Sequence, residues 1–358
     1  RDSNWFLDFA QNAKKAIAFY EKEGKETPDQ VIAFTPNLIV DLLKITGPVD
    51  MPDYGVSLTA ENFVENAQVI SSVLYPDQEN KPKQILADFI PLLLQKLNTF
   101  DSNAWSLVFE ALQKNLSEKQ ISIYSRDQDT QEILQTFNWA GEALQTDRDY
   151  LAIIASNLGG TKSDSFIEQS AALKTTISDE GKIINELAIT RKNLLPDLAN
   201  TENASFLRIY VPEGSRLMEN TGFDYINLDH LKNTGYKSDP DIYALEKSSH
   251  KDVVTGTTIG IENEKTYFGN WLKLKGGEKK TVKITYELPF ELTNIDRYSV
   301  LFQKQLGSGN TAIDWEITFS GRKLDWHNFE NPEINTNSLN ADFTLNRDYL
   351  LGGVFSLR

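Results

Sequence analysis

The stretch NLGGTKSD, Asn157 to Asp164, has the residue types of an anion site: two glycines, then a lysine and a serine. A phosphate loop places its lysine directly after the last glycine and opens a helix, so that backbone amides converge on phosphate. Here Thr161 intervenes, and SFIEQSAALKT after it alternates like a strand. The stretch therefore reads as a glycine turn between two strands, with Asn157 and Lys162 as candidate contacts to an anionic ligand or as braces of the turn.

Other chemistry-bearing residues are scattered. The three histidines, His230, His250 and His327, lie far apart, and none has a second histidine or a carboxylate at metal-ligand spacing. No metal site is expected. Ser249, His250 and Asp252 have the types of a hydrolytic triad, but neighbours in extended chain point to opposite faces and cannot share a proton. Asp127 with Asp129, and Asp239 with Asp241, alternate like a calcium loop without its glycine at the sixth position or its glutamate at the twelfth. Trp271, Trp315 and Trp326 could form a sugar-stacking platform, although the alternation around Trp315 puts that ring in a core.

The elements that must position these residues fall into two kinds. Asp8 with Gln11 is a capping-box pattern, and Phe9, Ala13, Ala16, Ile17 and Tyr20 recur at helical spacing over residues 9–23. QVIAF, residues 30–34, is a short strand. Thr35-Pro36 then starts a helix that Gly47-Pro48 stops. Helix, strand, helix in quick succession predicts an α/β layer. Further helices are predicted from Thr59 to Leu74, Gln84 to Leu97, Ser102 to Leu116 and up to Phe137, with a strand at Gln120 to Tyr124.

From about Asp147 the dominant period is two. Asp179-Glu180-Gly181 between SFIEQSAALKTTIS and KIINELAITRKN predicts a hairpin, and KLKGGEKKTVK, Lys273 to Lys283, reads as the solvent face of another. Val282, Ile284, Tyr286 and Leu288 alternate with polar residues, as do Ile313, Trp315, Ile317 and Phe319. The fold class is α+β: a helix-rich α/β domain over residues 1–146, then an antiparallel β-sandwich region over 147–358 with one or two modules. A polar stretch from Asn220 to Asp252 reads as an excursion.

Composition limits the partners. The 358 residues are 40% hydrophobic, enough to bury cores, and carry 51 acidic against 36 basic side chains for a net charge of -15. Such a surface repels nucleic-acid phosphates and anionic headgroups. The absence of cysteine removes disulfides and thiolate chemistry together. No stretch is apolar enough to span a membrane, and the charged N-terminus is not a signal peptide.

RDSNWFLDF, VIAFTPNLIVDLLKITGPV, FNWAGEAL with DRDYLAIIASNLGGTKSD, FLRIYVPEGSRL, YELPF and YSVLFQKQLGSG occur in this order. Together they resemble the bacterial family known only as domain of unknown function number four thousand and twelve. The resemblance spans nearly the whole chain and implies a protein outside the cytoplasm, tethered through an N-terminal membrane anchor absent from this chain. In relatives the RDSNW-like segment follows a Gly-rich motif, so the resemblance implies that the α/β domain is incomplete here. The missing N-terminal segment of the same gene product is then an expected partner.

The first part is also similar, more weakly, to the LytR-CpsA-Psr phosphotransferases. That similarity carries over to Arg1, as a grip on lipid pyrophosphate, and to Asp2, as its orienter or a holder of magnesium. The leading expectation is a non-enzymatic protein of the bacterial cell surface, without a cofactor, that binds an envelope glycan or protein or plays a structural role. The alternative is a magnesium-dependent phosphotransferase acting on polyprenyl-pyrophosphate-linked glycans.

Overall fold

The computed structural model describes residues 3–69, 84–158, 161–198, 201–225 and 239–358, with backbone only at 67–69. The chain divides into two compact units, Phe9–Glu142 and Ala143–Arg358, the latter joined by the segment that ends at Asp8.

The first unit runs α1 (Phe9–Lys22), β1 (Gln30–Phe34), α2 (Pro36–Thr46), β2 (Val49–Met51), β3 (Val56–Leu58), α3 (Phe63–Val69), α4 (Gln84–Leu97), α5 (Ser102–Ser117), β4 (Ile121–Ser125) and α6 (Gln128–Thr136). Its core gathers Leu38, Leu42 and Leu43 of α2 with Phe89 and Leu93 of α4 and Val108 of α5. Within α2 and α4 these residues recur at intervals of four, or four and five, and so form one stripe on each helix. The α/β layer expected from helix–strand–helix order is not what forms. β1 pairs antiparallel with β4, and β2 with β3, so each sheet described in this unit has two strands. Thr35 does not cap α2 through its side chain; its hydroxyl donates to Gln120 Oε1 at 2.7 Å instead.

The second unit is a β-sandwich. In chain order its strands are β5 (Asp149–Asn157), β6 (Ile167–Ile177), β7 (Lys182–Asn193), β8 (Asn203–Pro212), β9 (Arg216–Thr221), β10 (His250–Lys251), β11 (Thr258–Glu262), β12 (Lys265–Leu274), β13 (Lys279–Glu291), β14 (Ile295–Gln303), β15 (Thr311–Phe319), β16 (Arg322–His327), β17 (Glu333–Ile334), β18 (Ser338–Leu345) and β19 (Tyr349–Leu357), with one described α-helix, α7 (Pro240–Lys247). One sheet has the order β10-β11-β12-β8-β5-β14-β19-β16, the other β17-β18-β15-β6-β7-β13-β9. Alternate residues of both sheets fill one shared core, in which Trp315, Phe268, Phe302 and Phe355 are fully buried.

Two features depart from the expected antiparallel arrangement. β5 runs parallel to β14 and β6 parallel to β15, so the sandwich is mixed. Most connections also cross from one sheet to the other. The glycine turn after Leu274 is therefore no hairpin, because β12 and β13 lie in different sheets. The hairpin at Asp179–Gly181 does form between β6 and β7. Gly181 has φ of 91°, and a Cβ there would lie 2.2 Å from the Leu292 carbonyl oxygen, so only glycine fits.

A carboxylate sits inside the sandwich, held by neutral donors. Asp149 is fully buried and accepts hydrogen bonds from Tyr298 Oη at 2.6 Å, Asn185 Nδ2 at 2.8 Å and the Tyr150 amide at 2.7 Å. Asn185 in turn accepts from Thr175, which accepts from Trp315 Nε1. Burial pushes the Asp149 carboxyl up to about 6 even though three donors favour the charged form.

Candidate functional site

The outer face of the eight-stranded sheet follows from strand parity. Leu207, Ile209 and Val211 of β8, and Phe268 and Leu272 of β12, point into the core. Phe206, Arg208 and Tyr210 must then point outward, and the register sets them opposite Trp271, Gly269 and Tyr267. Thr258 and Gly260 of β11 continue these rows. A Cβ at Gly269 would lie 2.6 Å from the Phe206 ring, so the missing side chain is what lets that ring lie over the strand.

The N-terminal segment closes over part of this face. Trp5 stacks on Phe206 with centroids 6.4 Å apart and planes 16° apart, and Phe206 meets Trp271 edge-on at 5.3 Å. The Arg208 guanidinium lies 4.3 Å from the Trp5 ring centroid and donates to the Trp5 carbonyl. Arg208 Nη1 also pairs with Glu262 Oε2 at 3.2 Å, while Glu262 accepts from the Leu7 amide at 2.7 Å and from Tyr210 Oη. Burial raises the Tyr210 phenol well above its usual range, and raises that of Tyr267 as well.

Beside this network a groove of about 610 Å³ remains open. Trp5, Phe206 and Trp271 form one wall; Tyr225, Leu245 of α7 and Tyr267 contribute further apolar surface. Its polar lining is Arg208, Asp224, Glu246, Ser249, Lys251, Thr258 and Asn270. The volume and the mix of ring faces with a few polar groups are those of a small-molecule site, for which about 300–1,000 Å³ is usual. Trp5 Nε1 and Arg208 Nε are buried out of solvent contact beneath this wall, without an acceptor among the described residues. Asp224 is tied down, accepting from the Lys273 amide at 2.7 Å and facing Lys280 Nζ at 3.3 Å. Such a site can grip a ligand that offers flat apolar faces and polar groups for the hydroxyl and amide side chains of the lining.

Several residues singled out by spacing have local roles. Asn157 Nδ2 donates to the Thr161 carbonyl at 2.8 Å and braces the turn, while Lys162 is exposed; neither lines the groove. Gly159 and Gly160, like Arg1, Asp2 and His230, lie outside the described residues. Ser249 Oγ donates to the Glu246 carbonyl and Asp252 accepts from Thr255, so the two do not converge on His250. Asp127 and Asp239 are the N-caps of α6 and α7, which accounts for their carboxylates. Among the described residues no group of three or more His, Cys, Asp or Glu side chains could hold a metal ion. The three tryptophans form no platform: Trp315 is core, Trp271 lines the groove, and Trp326 stands exposed on β16, five strands away from β12. Residues that spacing did not reveal are Trp5, Phe206, Arg208 and Glu262. For Phe206 and Arg208 the signal was the run SFLRIYVP, bulky at both parities, which marks a strand covered on both faces; Trp5 and Glu262 had none.

No curated protein matches the chain. Solved structures resembling it include a Legionella pneumophila protein provisionally assigned as nutrient-binding, at 10% identity over 58% of this chain and 70% of that one, TM-score 0.32. An M1 zinc metallopeptidase from Deinococcus radiodurans shares 10% identity over 53% of this chain and 42% of its own, TM-score 0.27. Yeast LTA4 hydrolase with bestatin shares 12% identity over 55% and 29%, TM-score 0.29. This chain spans less than half the length of the latter two. These comparisons lend nothing to the LytR-CpsA-Psr similarity. Residues 1–70 match the family described as "Protein of unknown function (DUF4012)", and over that stretch the chain carries the signature of the family its motifs resemble.

Proposed function

We propose that this protein acts at the bacterial cell surface, outside the cytoplasm, as a binding module whose ligand, an envelope glycan or protein, sits in the groove on the eight-stranded sheet. The observation that carries this reading is the groove itself: three stacked or edge-on rings wall an open space of about 610 Å³ that also carries hydroxyl and amide side chains. Rings with a few convergent polar groups beside them are the usual lining of a binding site. The place outside the cytoplasm rests on the family resemblance. Among the described residues no helix is long and apolar enough to cross a membrane.

Sedimentation with purified envelope tests the binding role. The wild-type chain is expected to co-sediment with envelope fragments and Trp271→Ala to remain in the supernatant with an unchanged circular dichroism spectrum. Equal retention of the two would rule out the groove. Location is tested by protease treatment of intact cells carrying a tagged gene product; a tag that survives until the cells are lysed rules out the surface assignment.

A further inference from the structure

Building on that reading of the groove, we infer that its ligand is an uncharged glycan, held through pyranose rings on the Trp5, Phe206 and Trp271 wall.

Three observations select this class. The charges are matched: Arg208 pairs with Glu262 and Asp224 with Lys280, which leaves one lysine, Lys251, against one carboxylate, Glu246, in the described lining. Among its described residues the groove is balanced, and on a chain of net charge -15 one lysine set against one carboxylate does not concentrate phosphate or uronate groups. The main chain is also occupied. β8 and β12 are interior strands, each hydrogen-bonded on both sides, so the floor offers no free edge to which a peptide backbone could add as a strand. On that floor a ligand is held by side chains. Finally, the side chains supply aromatic faces together with neutral polar groups at Ser249, Thr258 and Asn270. A pyranose presents C–H faces that pack on rings, and a rim of hydroxyl and ether oxygens that hydrogen-bond to hydroxyl and amide groups.

Isothermal titration of the whole chain with cellohexaose, maltohexaose and chitohexaose tests the inference. Binding of at least one is expected. Trp271→Ala should weaken it about tenfold, the loss of one ring contact of ordinary strength. Trp5→Phe, which keeps a stacked ring of smaller face, should weaken it by about threefold. Trp326→Ala, on an exposed ring away from the groove, should leave it unchanged. Binding that ignores Trp271→Ala, or a preference for oligogalacturonate over all three neutral sugars, would overturn the assignment. If no hexasaccharide binds while envelope retention still depends on Trp271, the glycan class falls and the binding role stands; if both fail, both fall.

Discussion

The two outer faces of the sandwich share one core and differ in almost everything else. On the eight-stranded sheet, Phe206, Arg208, Tyr210 and Tyr267 stand over the strands and are covered in part by Trp5 and Leu7. On the seven-stranded sheet, Ala172 and Ala188 sit side by side as a low floor, flanked by Lys174, Glu186, Lys283 and Asp314 around a shallow hollow of about 500 Å³. Buried charge on the first face is locked into a network; on the second, Lys174 and Glu316 stand 3.7 Å apart and roughly half-exposed. The contrast shows that inward alternation sets the core, while the choice of outward residues decides whether a face receives another surface or faces water.

The sharpest way to break the contrast is Glu262→Gln. It strands the Arg208 charge beneath Trp5 and is expected to lower stability by about 3–5 kcal/mol in urea unfolding. A loss below about 1 kcal/mol would mean that the aromatic face behaves like the exposed one. Asp149, between the two faces, comes next. Its carboxyl is raised to about 6 in the folded protein, whereas an unfolded aspartate titrates near its ordinary value, so the folded state holds the proton more tightly. Below both values the residue is neutral in both states and costs nothing; as pH rises through the window up to about 6, ionisation inside the core costs stability, by about 3 kcal/mol once complete. Asp149→Asn should therefore gain about that much relative to wild type between pH 4 and pH 7, and a difference that stays flat over this range would show that Asp149 does not titrate as placed.

The smaller effects belong to the solvent-facing sheet. Asp314 lies directly opposite Asp342, and burial, then Asp342 and Glu316, raise its carboxyl above the ordinary value. Asp314→Asn is expected to stabilise at neutral pH by about 0.5 kcal/mol through relief of the cross-strand repulsion, and the gain should vanish in acid where both carboxyls are neutral. Glu316→Gln should change stability by less than about 0.5 kcal/mol, as an exposed pair allows. Denaturation midpoints at matched pH check both.

Local rules made much of the fold legible. α2, α4 and α5 followed from apolar stripes and punctuation, the β6–β7 hairpin from Asp179-Glu180-Gly181, and the core place of Trp315 from its alternation. What stayed hidden depends on distance along the chain. The Leu7 amide meets Glu262 across 255 residues, and β5 lies parallel to a strand that begins at Ile295. Periodicity reports which side of a strand is wet, but it does not name the neighbour that dries it. Hence FLRIYV could be read as a covered strand, while Trp5 as its cover could not.

The last strand, β19, lies between β14 and β16, and β14 in turn sits beside β5. On a ribosome, therefore, β5 emerges well before its parallel neighbour β14, which begins at Ile295, and the edge of β5 that β14 covers stays open in between. β14 and β16 both depend on β19, which lies between them, so that half of the sheet closes only after Tyr349–Leu357 has been made.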